Sequence, residues 1–187
     1  MLLIYSCKKG DTGPAGPAGT ANVVYSEWFT PGAYTKDTVF GIWGFNYNKA
    51  AADITQQIVD SGTVITYGKL LGYNTLIWPT NQVAQLPIGL TYVQGSTMTD
   101  TWSALATAGN LRIRFVNDKN YWTGISTSHQ FRYIIIPGGK KSTATAFRGA
   151  VSGSGRQLSA QEVSDITQNY QQMSYSEVCQ RLGVPEN

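Results

Sequence analysis

The stretch LRIRF, residues 111–115, alternates apolar and charged side chains, and this period of two is the clearest structural signal in the chain. Successive side chains of an extended strand point to opposite faces, so Leu111, Ile113 and Phe115 fall on a buried face and both arginines on the solvent side. A second stretch, FRYIII at 131–136, is apolar on both faces towards its end and stops at a Pro-Gly-Gly turn. We therefore predict two strands here, the second in the middle of a sheet.

Similar runs of β-branched and aromatic residues, separated by Gly, Pro, Asn and Asp, continue through residues 22–137. Their spacing indicates a mainly β domain, an antiparallel β-sandwich, with a barrel-like closure as the alternative. Between the second and third runs, Asp53 and Gly62 bound an Ile54/Ile58 pair, which predicts a short helix covering one end of the domain. The predicted strands are 22–29, 38–47, 63–70, 75–78, 88–93, 97–105, 111–116 and 131–136.

The C-terminal region has a different composition. Residues 138–158 are rich in Gly, Ser, Thr and Lys, which predicts a flexible linker. Ser-Ala-Gln-Glu at 159–162 and Ser-Tyr-Ser-Glu at 174–177 both match the capping box, in which a hydroxyl and a carboxylate satisfy free amides at a helix start. Residues 159–187 are therefore predicted to form a helical tail.

The N-terminal region carries a short glycine period. Glycine occupies every third position from Gly10 to Gly19, and four triplets are too few to order three chains into a collagen helix. The same residues favour extended polyproline II backbone, so residues 8–21 reach roughly 40 Å at about 3.1 Å per residue. We interpret them as a collagen-like spacer ahead of the folded domain at 22–137.

Residues 1–7, MLLIYSC, place a small residue and a cysteine directly after an apolar run. Ile4 and Ser6 stand at the third and first positions before Cys7, which resembles the lipobox at which bacterial lipoproteins are cleaved and lipidated. A complete signal peptide also has a basic region and a longer apolar region, so we interpret residues 1–7 as the remnant of one, with an edge strand as the alternative. Lys8 after the cysteine resembles the pattern for outer-membrane sorting and leaves the periplasmic and surface faces both open.

Charge and cysteine content narrow the choice of partners. Fourteen basic and eleven acidic residues give a net charge of +3, and the basic residues are scattered. Nucleic-acid binding needs a concentrated basic patch, so we expect no nucleic-acid partner. Cys7 and Cys179 lie at opposite ends of the chain, which favours one modified cysteine and one small buried residue over a disulfide.

Residues that could carry catalysis are sparse. His129 is the single histidine, so the usual ligands of a zinc site are essentially unavailable. We expect His129 to lie in a loop, exposed to water. The acidic residues are dispersed singles without the spacing of a calcium loop. We therefore predict no catalytic residue, metal or cofactor. An enzyme with two facing carboxyl groups is the alternative, because folding can bring distant acids together.

Aromatic residues near predicted loops are the remaining candidates for ligand contact. Tyr121 and Trp122 follow the 111–116 strand, and Trp78 precedes a proline. Large flat side chains at loops stack on sugar rings or fill a partner's pocket. The alternative is that aromatic residues serve the core: Trp28, Trp43 and Trp102 would fill it, and Trp78 and Trp122 would cover its ends.

Several motifs together resemble predicted lipoproteins of Bacteroidetes that carry a short collagen-like Gly-x-y repeat. They are CKKG before the repeat, ANVVYSEWFT, DITQQIVDSGTVITYGKL, FRYIIIPGG and MSYSEVCQRLGVPE, and they span most of the chain. The resemblance implies a lipid-anchored envelope location and a β-rich body, and it implies no activity.

From the sequence we thus expect a monomeric, non-enzymatic outer-membrane lipoprotein. Cys7 attaches it to the membrane, the spacer holds the β-sandwich away, and the sandwich serves a binding or structural role towards a glycan or protein. The alternative function is a carbohydrate-binding module that uses Tyr121, Trp122 and Trp78.

Overall fold

The computed structural model describes residues 23–137 and 168–186. Within them, nine strands form two antiparallel sheets packed face to face. Sheet 1 has the order β1-β9-β4-β5 and sheet 2 the order β2-β3-β8-β7-β6. The two sheets remain unclosed, so the predicted sandwich is confirmed over the barrel-like alternative. The elements are β1 (Val24–Tyr25), β2 (Thr35–Val39), β3 (Ile42–Ala50), α1 (Gln56–Ser61), β4 (Thr63–Lys69), β5 (Ala84–Gln85), β6 (Ile88–Gln94), β7 (Ser96–Thr107), β8 (Asn110–Asn117), β9 (Gln130–Ile136) and α2 (Tyr175–Leu182), and residues 168–172 are also helical.

Strand β8 lies in the middle of sheet 2, between β3 and β7. Leu111, Ile113 and Phe115 are buried between the sheets, as their alternation predicts. The two arginines face the other side, but they are only half exposed. Arg114 is shielded because its Nη1 lies 2.6 Å from Oδ2 of Asp37 on β2.

Strand β9 is central in sheet 1, and its two faces are buried against different partners. Phe131, Tyr133 and Ile135 point into the core between the sheets. Ile134, on the opposite face, packs with Ile65 and Tyr67 of β4 against α2. This two-sided burial explains why the strand reads as apolar on both faces.

The C-terminal helix α2 is docked on sheet 1. It begins with the predicted capping box between Ser174 and Glu177, and it buries Tyr175, Val178 and Cys179. Arg132 of β9 is fully buried beneath it and donates to the Tyr175 hydroxyl at 2.6 Å and to the carbonyls of Ser26 and Pro185. A buried cation is tolerated where such acceptors surround it.

Several predicted boundaries are corrected. The 38–47 run is a hairpin, not one strand, because Phe40 and Gly41 both adopt positive φ and form a two-residue turn. The 75–78 run is a turn, and β1 covers only two residues of 22–29, with a single further bridge at Phe29.

The helix α1 forms where expected, but Thr55, not Asp53, caps it, with its hydroxyl accepting from the amide of Ile58. Ile54 and Ile58 do pack into the core as predicted.

The predictions for residues 1–21, the linker at 138–158 and the capping box at 159–162 lie outside the described residues. Among the described residues, none of the helices has the length and apolar character needed to cross a membrane.

Candidate functional site

A cleft opens at the end of the sandwich where β4 and β8 finish and β9 begins. It has a volume of about 450 Å³. Loop residues 71–77 form one wall and residues 122–126 the other. Tyr92, Trp102 and Phe115 close the cleft from the strands, and His129 lines it from the loop directly before β9. We call this the aromatic cleft.

Asp100 is the organising residue of the cleft. It points inward from β7 and is fully buried. Its Oδ2 accepts from the hydroxyls of Tyr73 at 3.0 Å and Tyr92 at 2.8 Å, and its Oδ1 accepts from Nδ2 of Asn117 at 2.8 Å and Nε1 of Trp122 at 3.1 Å. Four donors thus satisfy a carboxyl group that is costly to bury without partners. The aromatic side chains are consequently held by their polar ends.

The loop that carries Trp122 is shaped by two asparagines. Asn117 accepts the amides of Lys119 at 2.9 Å and Tyr121 at 3.0 Å, the turn that an Asn side chain favours. Asn120 takes a positive φ of 52°, and its side chain bonds the β2–β3 hairpin through the Trp43 amide and the Gly41 carbonyl. The direction of Trp122 is therefore fixed by backbone contacts as well as by Asp100.

His129 is buried, which corrects the expectation of a histidine in water; only 4% of its surface is exposed. Its Nδ1 accepts from the Leu71 amide at 3.0 Å, so the neutral ring carries its proton on Nε2. The ring packs edge-on to Trp102 at 4.6 Å between centroids. Burial lowers the pKa of His129 to about 4, so the ring is neutral at pH 7.

The tyrosines of the cleft stay protonated at neutral pH. Burial, followed by the hydrogen bond to Asp100, raises the pKa of Tyr92 to about 12. Burial also raises the pKa of Tyr73, whose hydroxyl in turn accepts from Nε1 of Trp102 at 3.1 Å. None of the described residues that line the cleft is Lys, Arg, Asp or Glu. The cleft therefore offers a ligand aromatic and aliphatic surface together with neutral polar groups.

The structure places one of the three predicted site residues in the lining of this cleft and a second one beside it. Trp122 lines it, and Tyr121 packs against Trp122 with ring centroids 5.0 Å apart. Trp78 is 5% exposed, belongs to the main core and does not line the cleft. Trp102 is fully buried in the same core, whereas Trp28 and Trp43 are only partly buried against their clusters.

Sequence reasoning missed Asp100, Tyr73, Tyr92 and His129 as members of the site. The signal for Asp100 was present: it alternates with Met98 and Trp102, and all three face inward on β7. An acid in a core-facing position requires donors around it, and tyrosines are suited to supply them. His129 and Tyr73 gave no comparable signal, because their loops meet only through the fold.

Other chemical groups of the described residues do not assemble into a site. No group of three or more His, Cys, Asp or Glu side chains in residues 23–137 and 168–186 could hold a metal ion. Cys179 is a free thiol buried beside Tyr175, and burial raises its pKa. Cys7 lies outside the described residues.

Comparisons with protein-family models, with curated proteins and with solved structures found no match to this chain.

The burial of neutral His129 predicts a specific loss of stability in acid. The unfolded histidine takes up its proton near pH 6.5 and the folded one near pH 4, so the unfolded state binds more protons between these values. The contribution of His129 to the free energy of unfolding therefore falls as the pH drops from 6.5 to 4, by about 3 kcal/mol in total.

Urea unfolding at a series of pH values measures this contribution as the difference between the native chain and His129→Asn, whose side-chain oxygen can still accept the Leu71 amide. The difference should shrink between pH 6.5 and 4. Parallel pH profiles for the two proteins would contradict the assignment of a buried neutral ring.

Proposed function

We propose that this chain is a non-enzymatic cell-envelope lipoprotein that is anchored through Cys7 and whose β-sandwich binds a neutral carbohydrate in the aromatic cleft. The observation that carries the binding role is the cleft itself. Aromatic side chains are fixed there by a buried carboxyl group, around a space with an uncharged lining.

The size and chemistry of the cleft fit a sugar. A volume of about 450 Å³ lies within the range of small-molecule sites. Sugar rings present C–H faces that pack on aromatic surfaces and hydroxyls that bond to neutral polar groups. Trp122 and Tyr92 supply aromatic surface for the C–H faces. Asn74, Gln94 and Nε2 of His129 supply neutral polar groups for the hydroxyls. The uncharged lining favours a neutral sugar over a uronic acid or a phosphorylated one.

The cleft supports binding over glycoside hydrolysis. Hydrolysis by the common route needs two carboxyl groups about 5–10 Å apart on either side of the scissile bond. Asp100 accepts hydrogen bonds from the lining residues Tyr92 and Trp122, but it is fully buried and both of its oxygens are occupied. It holds the binding surface in place and is not a candidate acid or base.

Trp122→Ala is predicted to weaken carbohydrate binding about tenfold or more, because it removes the ring against which a sugar would stack. The measurement is a neutral-glycan array with the full chain, followed by calorimetric titration of the ligands that bind. Trp43→Ala is the matched control, since Trp43 is also half-buried but lies outside the cleft lining. Urea unfolding of both variants separates lost affinity from lost folding.

Absence of binding to every neutral glycan would overturn the carbohydrate role. Equal affinity for the native chain and a folded Trp122→Ala variant would remove the aromatic cleft as the site.

The envelope location is supported by residues 1–21. The Ile4-Tyr5-Ser6-Cys7 run resembles a lipobox, and the Gly-x-y spacer and the further motifs resemble Bacteroidetes lipoproteins. Multi-chain acylation of one cysteine anchors a protein stably, whereas a single acyl chain binds only marginally.

Cys7→Ser is predicted to release the protein from the membrane fraction and to abolish incorporation of a clickable palmitate analogue in the native cells. Cys179→Ser is the matched control, because Cys179 is buried between α2 and sheet 1 and should not be acylated. Unchanged labelling of Cys7→Ser would rule out Cys7 as the anchor.

A further inference from the structure

Exposed apolar side chains are concentrated at the cleft end of the sandwich. Of the eleven large hydrophobic residues that are exposed in the described part of the chain, seven lie in turns and strand ends on this side. Single exposed apolar residues are ordinary, but a contiguous group marks an interaction site. The seven are Val39, Phe40, Ile42, Leu71, Leu76, Val93 and Tyr121, and the other four are Val24, Tyr25, Val59 and Leu105.

Four of these residues border the aromatic cleft, and we call them the apolar rim: Leu71, Leu76, Val93 and Tyr121. Leu71 and Val93 line the cleft as well as being exposed. Leu76 lies next to the lining residue Ile77 and is 95% exposed, and Val93 is 75% exposed. The rim is thus continuous with the cleft, so a ligand that fills the cleft meets the rim where it emerges.

The described part of the chain begins at residue 23 and is interrupted after residue 137, and both points lie at the end of the sandwich away from the cleft. Residue 23 precedes β1, which pairs with Ile134 and Ile135 near the end of β9, and residue 137 follows β9 directly. The described chain resumes at residue 168. Tyr170, two residues further on, borders a small cavity together with Thr63 and Ile136 at the same end of the sandwich. The apolar rim thus lies at the opposite end of β9 from residues 23 and 137.

The composition of the rim differs from that of a surface made for sugar alone. Three of its four residues are aliphatic, and aliphatic side chains gain free energy chiefly by removing other apolar groups from water. The two charged residues nearest to Tyr121 in sequence, Asp118 and Lys119, lie 3.8 Å apart and offset each other's charge. An uncharged apolar group is therefore the complementary partner.

Resting on the proposed function, we infer that the ligand is an amphipathic glycoside: its neutral sugar occupies the aromatic cleft, and its apolar aglycone or acyl chain lies across the apolar rim. The sugar supplies selectivity through the aromatic and neutral polar groups of the cleft. The apolar portion adds affinity in proportion to the surface that Leu71, Leu76 and Val93 remove from water.

The test compares methyl and octyl glycosides of glucose, galactose and mannose on the full chain, below the micelle concentrations, by saturation-transfer NMR and calorimetry. A fully buried methylene raises affinity about fourfold, so partial cover of seven additional carbons should make the octyl form at least about tenfold tighter than the methyl form of the same sugar. Octyl tetraethylene glycol ether, with the same chain and no sugar, should bind more weakly than the octyl glycoside.

Leu76→Ser should reduce the octyl preference by about threefold or more and leave the affinity for the methyl glycoside unchanged, because Leu76 is exposed and does not line the cleft. Leu105→Ser is the matched control, because Leu105 is exposed at the other end of the sandwich. Neither Leu76 nor Leu105 contributes a hydrogen bond to Asp100.

The possible failures are distinguishable. Equal affinity for methyl and octyl forms overturns the amphipathic ligand and leaves carbohydrate binding standing. Equal binding of the octyl glycoside and the ether overturns it in favour of a purely apolar ligand. If none of the probes binds, both the amphipathic ligand and the recognition of a monosaccharide by the cleft are overturned. A dimer in sedimentation equilibrium that Leu76→Ser dissociates would assign the rim to a second copy of the chain and likewise overturn the inference.

Discussion

A buried carboxyl group with four hydrogen-bond donors is the constraint on which the cleft end of this protein depends. Burying Asp100 without partners would cost several kcal/mol, so the strands and loops around it must deliver their donors together. Tyr73 comes from the loop after β4, Tyr92 from β6, and Asn117 and Trp122 from the end of β8 and the loop beyond it. One side chain therefore couples three strands and two loops.

The same arrangement decides what the surface offers. The polar ends of Tyr92 and Trp122 are turned towards Asp100, so the remaining parts of these rings are available to line the cleft. His129 is fixed in one tautomer by the Leu71 amide, which leaves Nε2–H as a donor. A preorganised site of this kind loses little side-chain entropy when a ligand binds.

The face of sheet 1 that points away from sheet 2 positions the C-terminal helix α2. Two-sided burial of β9 places α2 over Ile65, Tyr67 and Ile134, with Arg132 held between the tail and Ser26. The chain meets β1 at the end of β9, whereas the cleft opens where β9 begins.

Local patterns in the sequence predicted the parts of this fold that depend on local physics. The alternation at 111–115, the two-sided apolar strand at 131–136 and the capping box at Ser174 are each confirmed. The turn at Phe40 was missed because a bulky residue rarely adopts positive φ. The site was only half predicted: Tyr121 and Trp122 stand out in a loop, but Asp100 and His129 become meaningful only when strands distant in sequence meet.

The most direct test of the account is an NMR titration of the full chain with a neutral oligosaccharide from the glycan array, followed at the five tryptophan indole N–H signals. Trp122 and Trp102 line the cleft, and their Nε1 atoms donate to Asp100 and to the Tyr73 hydroxyl. The account predicts that these two signals shift together and saturably, while those of Trp28, Trp43 and Trp78 stay in place. Shifts confined to the latter three, or none at saturating sugar, would contradict it.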